Sequence, residues 1–148
     1  MHHDEQLEYL FFREVPEIAD GIVVIKAIAR KPGLRSKIAV HSHDPKVDCI
    51  GACVGERGSR IKRIVDQLEG ERIDLVRWHE SLEKLIPNSL QPAAVDKVIL
   101  HATQHRVTVI VKEGQLSLAI GRKGLNRELA SQLCAWDIQV MTQPTDAI

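Results

Sequence analysis

Apolar residues recur along this chain with two periods, and the two alternate. In EQLEYLFFREVPEI, Leu7, Leu10, Phe11 and Val15 fall on one helix face until Pro16 and Gly21 interrupt it. GIVVIKAIAR and SKIAVHSH are rich in β-branched residues and are joined by KPGLR, a Pro-Gly turn, which predicts an antiparallel hairpin. DPKVDCIGACVG predicts a short helix ending at Gly55. In GSRIKRIVDQLEG, Ile61, Ile64, Val65 and Leu68 stand at i, i+3, i+4 and i+7, an amphipathic helix stopped by Gly70. RIDLVRW then alternates as a strand.

The order then repeats. HESLEKLIPNSLQP is partly helical, with Pro87 expected to limit its length. AVDKVILHATQHRVTVIV predicts a second hairpin, turning near Gln104 and His105, and GQLSLAIG a short apolar helix stopping at Gly121. Leu125, Leu129 and Leu133 mark a further helix, and DIQVMT a last strand. Each half reads helix, strand, strand, short helix, GxxG, helix, strand, which is an internal duplication of about seventy residues. Counted from the second glycine of each motif, Leu68 aligns with Leu133, Gly70 with Ala135 and Ile73 with Ile138, with a shift of one. The pattern predicts an N-terminal helix over 1–20, one domain over 21–79 and another over 80–148. Each would be an α+β unit, a three-stranded sheet covered by helices on one face. No Gly/Ser linker separates them, so they are expected to pack rigidly together.

Composition narrows the function. The chain has 148 residues, 44% of them hydrophobic, enough for a core, and only 3% aromatic. Twenty basic and twenty acidic residues leave no net charge, which argues against a general attraction to polyanions but not against a local basic site. Charge is uneven: positions 4–20 carry six acids and Arg13 alone, whereas 57–63 carry Arg57, Arg60, Lys62 and Arg63 without an acid. Three cysteines argue against a disulfide framework and for a reducing cytoplasm. No apolar run approaches the ~20 residues of a membrane span, and the N-terminus lacks the pattern of a secretory signal.

The candidate chemistry lies in the two GxxG motifs, Gly55-Glu56-Arg57-Gly58 and Gly121-Arg122-Lys123-Gly124. Glycine admits positive φ and lets a ligand's backbone come close. The helix that follows offers unpaired N–H groups and a positive dipole end, which suit a phosphodiester. Short helix, GxxG, amphipathic helix and strand, met twice, is the arrangement of the KH module, whose GXXG loop clamps about four nucleotides of a single strand. Glu56 predicts a weaker grip on the backbone at the first motif than Arg122 and Lys123 give at the second. Among the flanking residues, Arg60 and Asn126, in the first turns of their helices, are the preferred further contacts. Arg63 and Arg127 lie opposite the apolar faces.

The stretches VPEIADGIVVIKAIARKPGLRSKIAV, DPKVDCIGACVGERGSRIKRIVDQLEGERIDLVRW and QLSLAIGRKGLNRELASQL resemble the two KH domains of the NusA family of bacterial transcription factors, over about Leu10 to Thr142. The resemblance implies two consecutive type II KH domains that bind nascent single-stranded RNA and modulate pausing, termination and antitermination. It implies an RNA surface of Gly55, Glu56, Arg57, Gly58, Arg60, Gly121, Arg122, Lys123, Gly124 and Asn126. The family's polymerase-docking domain and OB-fold domain do not occur in this sequence, so contacts with RNA polymerase and antitermination factors are expected only through such further domains. Cys49 stands where the family often has Pro, Arg127 where an apolar residue is common, and Ala135 where Gly is usual.

Other readings are a stand-alone KH protein, one associated with ribosomal RNA, or a zinc-binding interaction module using His41, His43, Cys49 and Cys53. Against the last, the spacing is unlike CxxC, and packed cysteines with solvent-facing histidines are expected. Phe11 and Phe12 on the first helix offer a protein-docking reading, although such residues more often join the domain's own core. Neither a P-loop nor a recognisable catalytic triad occurs, so no catalysis and no cofactor are expected. The chain is expected to be a cytoplasmic monomer.

Overall fold

A computed structural model describes residues 4–143. The chain divides into two units, Met1–His79 and Glu80–Ile148. In unit 1 the elements run α1 (Glu5–Glu14), α2 (Pro16–Ala19), β1 (Val23–Lys31), β2 (Arg35–Ser42), α3 (Cys49–Val54), α4 (Ser59–Gln67) and β3 (Arg72–Arg77). In unit 2 they run α5 (Leu82–Leu90), β4 (Lys97–His101), β5 (Arg106–Val111), α6 (Leu116–Ile120), α7 (Leu125–Cys134) and β6 (Asp137–Thr142). Each unit has one three-stranded mixed sheet. β1 pairs antiparallel with β2, and β3 lies parallel on its other side; β4, β5 and β6 repeat this order. The parallel pairing follows from the two helices between the last two strands, which return the chain to the starting end of the sheet.

Helix α1 begins at Asp4, whose carboxylate accepts the N–H of Leu7 at 3.0 Å, and ends before Pro16, which opens α2. Leu7, Leu10, Phe11 and Val15 are buried with Val23, Ile28, Ile38, Val40, Ile64 and Leu68 in one core. The N-terminal helix is therefore part of the domain. Phe11 belongs wholly to this core, whereas its neighbour Phe12 is 55% exposed.

Helix α5 does not stop at Pro87 but continues to Leu90. Proline removes one N–H and strains the preceding turn, at a cost of ~3 kcal/mol. Burial of Leu85, Ile86 and Leu90, each contributing ~1.5–3 kcal/mol, outweighs it.

The repeat also has a different register than the sequence suggests. Helices α4 and α7 end with matching i+5 bonds, Gly70 N–H to Val65 O at 3.0 Å and Trp136 N–H to Ser131 O at 3.3 Å. The residues in left-handed conformation are Glu69 (φ 58°) and Ala135 (φ 60°), each eleven positions after its second motif glycine. Ala135 therefore corresponds to Glu69, and the shift enters after the helix, at Glu71. That additional residue is fully buried: its carboxylate accepts two forked bonds from Arg30 and the N–H of Gly33, tying the β1–β2 turn to the start of β3.

Candidate nucleic-acid interface

The two GxxG loops have the same backbone. Gly55 and Gly121 lie at φ/ψ of 76°/172° and 78°/172°. Arg57 and Lys123 are left-handed at 55°/28° and 56°/26°, and Gly58 and Gly124 at 74°/15° and 74°/11°. Glu56-Arg57 and Arg122-Lys123 thus serve one conformation, so the glycines and the flanking helices set the shape.

Within each loop the first glycine's N–H bonds back into the preceding helix, Gly55 to Gly51 O at 2.9 Å and Gly121 to Ser117 O at 2.8 Å. The second glycine bonds to the first, at 3.0 and 3.1 Å. Among the described residues, the N–H groups of Glu56, Arg57, Arg122 and Lys123 take no intramolecular acceptor. Successive free N–H groups in such a turn form a concavity that suits an anion. The side chains of Glu56, Arg57, Arg122 and Lys123 are exposed and make no ion pair among the described residues.

The two glycines of each loop are needed for different reasons. A Cβ on Gly121 would come within 2.8 Å of the backbone nitrogen of Asn126, and one on Gly55 within 2.5 Å of Arg60 Cγ. At Gly58 and Gly124 there is open space, and only the positive φ calls for glycine.

Asn126 is not the surface contact expected from its place in the first turn. It is 1% exposed, and its amide nitrogen lies 2.9 Å from Ala119 O, 3.1 Å from Leu90 O and 3.3 Å from Leu118 O. The packing that closes over Gly121 turns the side chain inward, where it ties α5, α6 and α7 together. Arg60 holds the equivalent place in unit 1. Its Nη1 donates to Ala52 O and to Glu17, each at 2.8 Å, joining α4 to α3 and α2. Both residues hold the loop's supports, Asn126 from beneath and Arg60 from a half-buried position. Arg63 is exposed, whereas Arg127 donates to Ile138 O at 3.1 Å.

A groove of about 410 Å³ adjoins the first loop, running along α3. Gly51, Ala52 and Gly55 give it small residues, and Lys46, Asp48, Glu17, Arg60 and Glu56 surround them. Asp48 caps α3 by accepting the Ile50 N–H and pairs with Arg77 at 2.8 Å; that pairing holds its carboxyl below the usual carboxylate range. Counted from the first glycine, the position of Ala52 is taken in unit 2 by Leu118, 47% exposed. Sequence reasoning passed over this groove. Its signal is the pair Gly51 and Gly55, four apart, which leaves one side of α3 without side chains.

The proposed metal ligands do not converge. His41 meets Trp78 edge-on at 5.4 Å and His43 at 5.6 Å, while Cys49 Sγ donates to Val40 O at 3.6 Å. Burial pushes the Cys53 thiol up to about 12. Among the described residues no three His, Cys, Asp or Glu side chains gather as a metal site.

Residues 1–78 match the family model of the NusA-like first KH domain, and residues 82–147 that of the NusA-like second KH domain. The chain belongs to the NusA family. It is 48% identical over 141 residues to the transcription termination/antitermination protein NusA of Halalkalibacterium halodurans, covering 95% of this chain and 37% of that protein. It is 46% identical over 145 residues to NusA of Bacillus subtilis, covering 98% and 39%. The chain thus spans less than half the length of these relatives. The crystal structure of APE1850 is similar in fold, with a TM-score of 0.65 at 20% identity over 93% of this chain and 96% of that one. Among the described residues, no helix is long and apolar enough to cross a membrane.

Proposed function

We propose that the tandem KH domains form a single-stranded RNA-binding module of a NusA-type transcription factor. The observation that carries this reading is the repeated loop: two backbones alike to within a few degrees, each leaving two N–H groups without an intramolecular acceptor at the start of a helix. A phosphate of the RNA backbone sits against the backbone N–H groups of Glu56 and Arg57 in unit 1 and of Arg122 and Lys123 in unit 2, with Gly55, Gly58, Gly121 and Gly124 allowing close approach. Arg60 and Asn126 act by holding the loops in place. NusA relatives are termination and antitermination proteins, and the role assigned to this chain is to hold nascent RNA while pausing, termination and antitermination are decided. Contacts with RNA polymerase and antitermination factors are assigned to parts of NusA proteins outside this chain.

The test is fluorescence anisotropy of a labelled single-stranded RNA at low salt. The Arg122→Asp/Lys123→Asp variant, with both glycines kept, is expected to lose binding and to retain its circular dichroism spectrum and melting temperature. Unchanged affinity in that folded variant contradicts the reading.

A further inference from the structure

The groove along α3 in unit 1 carries five charged side chains, and most are already committed. Arg60 is held by Glu17 and Ala52 O, and Asp48 by Arg77 and the Ile50 N–H. Lys46 and Glu56 make no ion pair among the described residues. Among the described residues, Glu56 is the one carboxylate of the groove with no hydrogen-bond or ion-pair partner, and a carboxylate only accepts.

Loop geometry does not require a carboxylate there, because Arg122 occupies the same place in the same backbone in unit 2. Against phosphate a carboxylate is unfavourable. Against the edge of a base it is useful. Adenine, cytosine and guanine each present an exocyclic amino group, which donates to a carboxylate. Uracil has none, and its single edge N–H lies between two carbonyl oxygens that a carboxylate repels. The groove's volume falls within the ~300–1,000 Å³ range of small-ligand clefts, and Gly51 and Ala52 leave its α3 side open.

We infer that Glu56 is a specificity-determining residue: the unit 1 groove takes a nucleotide whose base carries an exocyclic amino group and rejects uracil. This rests on the RNA-binding reading. It assigns the two loops different work, base selection beside Glu56 and backbone grip at Arg122 and Lys123.

The experiment is selection of bound RNA by the full chain from a pool of randomised eight-nucleotide strands, followed by sequencing. The wild type is expected to enrich strands with one position depleted in uracil by about tenfold, the size of one hydrogen bond to a charged group. Glu56→Gln, whose amide both donates and accepts, is expected to lose that depletion while the preferences at the other positions remain. Depletion that persists in Glu56→Gln, or no uracil-depleted position in the wild type, overturns the inference. So does an equal rise in affinity for every sequence, which would make Glu56 only a repellent of phosphate. If the wild type binds nothing in the pool, the RNA-binding reading itself has failed; if it binds without discrimination, only the role of Glu56 has.

Discussion

Units 1 and 2 share a loop backbone to within a few degrees and differ in nearly everything charged around it. The first loop carries Glu56 and Arg57 beside a groove walled by Glu17, Asp48 and Lys46; the second carries Arg122 and Lys123 beside the exposed Leu118. The sheets differ in the same way. In unit 1, Lys37 on β2 is fully buried and donates to Asp74 on β3 at 2.8 Å, with Arg35 on the same carboxylate. In unit 2 the equivalent ladder pair is Thr108 and Gln139, both uncharged. Duplication preserved what the backbone needs, and left each copy free to place charge where its own task or packing requires it.

The largest effect expected from breaking this comparison is in the unit 1 sheet. Asp74→Asn leaves Lys37 buried without its counter-charge and is expected to cost ~3–5 kcal/mol, read from urea unfolding. The pH dependence follows from Asp74. Burial pushes its carboxyl up, but Lys37 and Arg35 outweigh this and hold it below the usual range. A depressed folded pKa means that Asp74's contribution is complete above the unfolded value of about 3.9 and is lost as pH falls through the folded one. Wild-type stability is therefore expected to fall on acidification below about pH 4, and that part of the fall to be missing from Asp74→Asn. An acid limb of the same size in both would exclude Asp74 as its source.

The next effect separates the two kinds of loop glycine. Gly121→Ala meets both the strain of a glycine-only backbone conformation (φ/ψ 78°/172°) and the Asn126 backbone, which cannot move aside, and is expected to cost well over the ~1–2 kcal/mol of a left-handed residue. Gly124→Ala meets open space and should cost only the strain. Equal losses in thermal melts of the two variants would show that neither the close approach over Gly121 nor its glycine-only conformation adds to the cost. Asn126→Ala, read in the same melts, is expected to cost ~1–3 kcal/mol by releasing buried carbonyl groups.

The smallest effect is a gain. Ala135 is left-handed at the end of α7, so Ala135→Gly is expected to stabilise unit 2 by up to ~1 kcal/mol and raise its melting temperature by a few degrees. A lower melting temperature would show that the methyl group's packing outweighs its strain.

Periodicity made the strands, the helices and the duplication legible, because the apolar faces of α1, α4 and α7 are regular and the glycines punctuate them. The candidate loops were legible for the same reason. What remained hidden depends on which way a side chain turns once helices pack. Asn126 and Arg60 occupy equivalent first-turn positions on polar flanks of their helices, and only the close approach over Gly121 and Gly55 shows that they support the loops. Lys37 and Glu71 are polar letters inside a sheet and a turn; their burial depends on partners at Asp74 and Arg30, far away in sequence. Pro87 announced a helix end that the burial of Leu90 overrode.

The central claim is that loop geometry supplies the grip on phosphate and the loop cations set its strength, with unit 2 dominant. The most direct test is the salt dependence of single-stranded RNA binding by the full chain. Each phosphate contact contributes a slope of ~0.7 in log affinity against log salt. Arg122→Gln/Lys123→Gln is expected to lower the slope by ~1.4, and Glu56→Gln/Arg57→Gln by no more than half as much. An unchanged slope in the Arg122/Lys123 variant, or an equal drop in the two, would contradict the account.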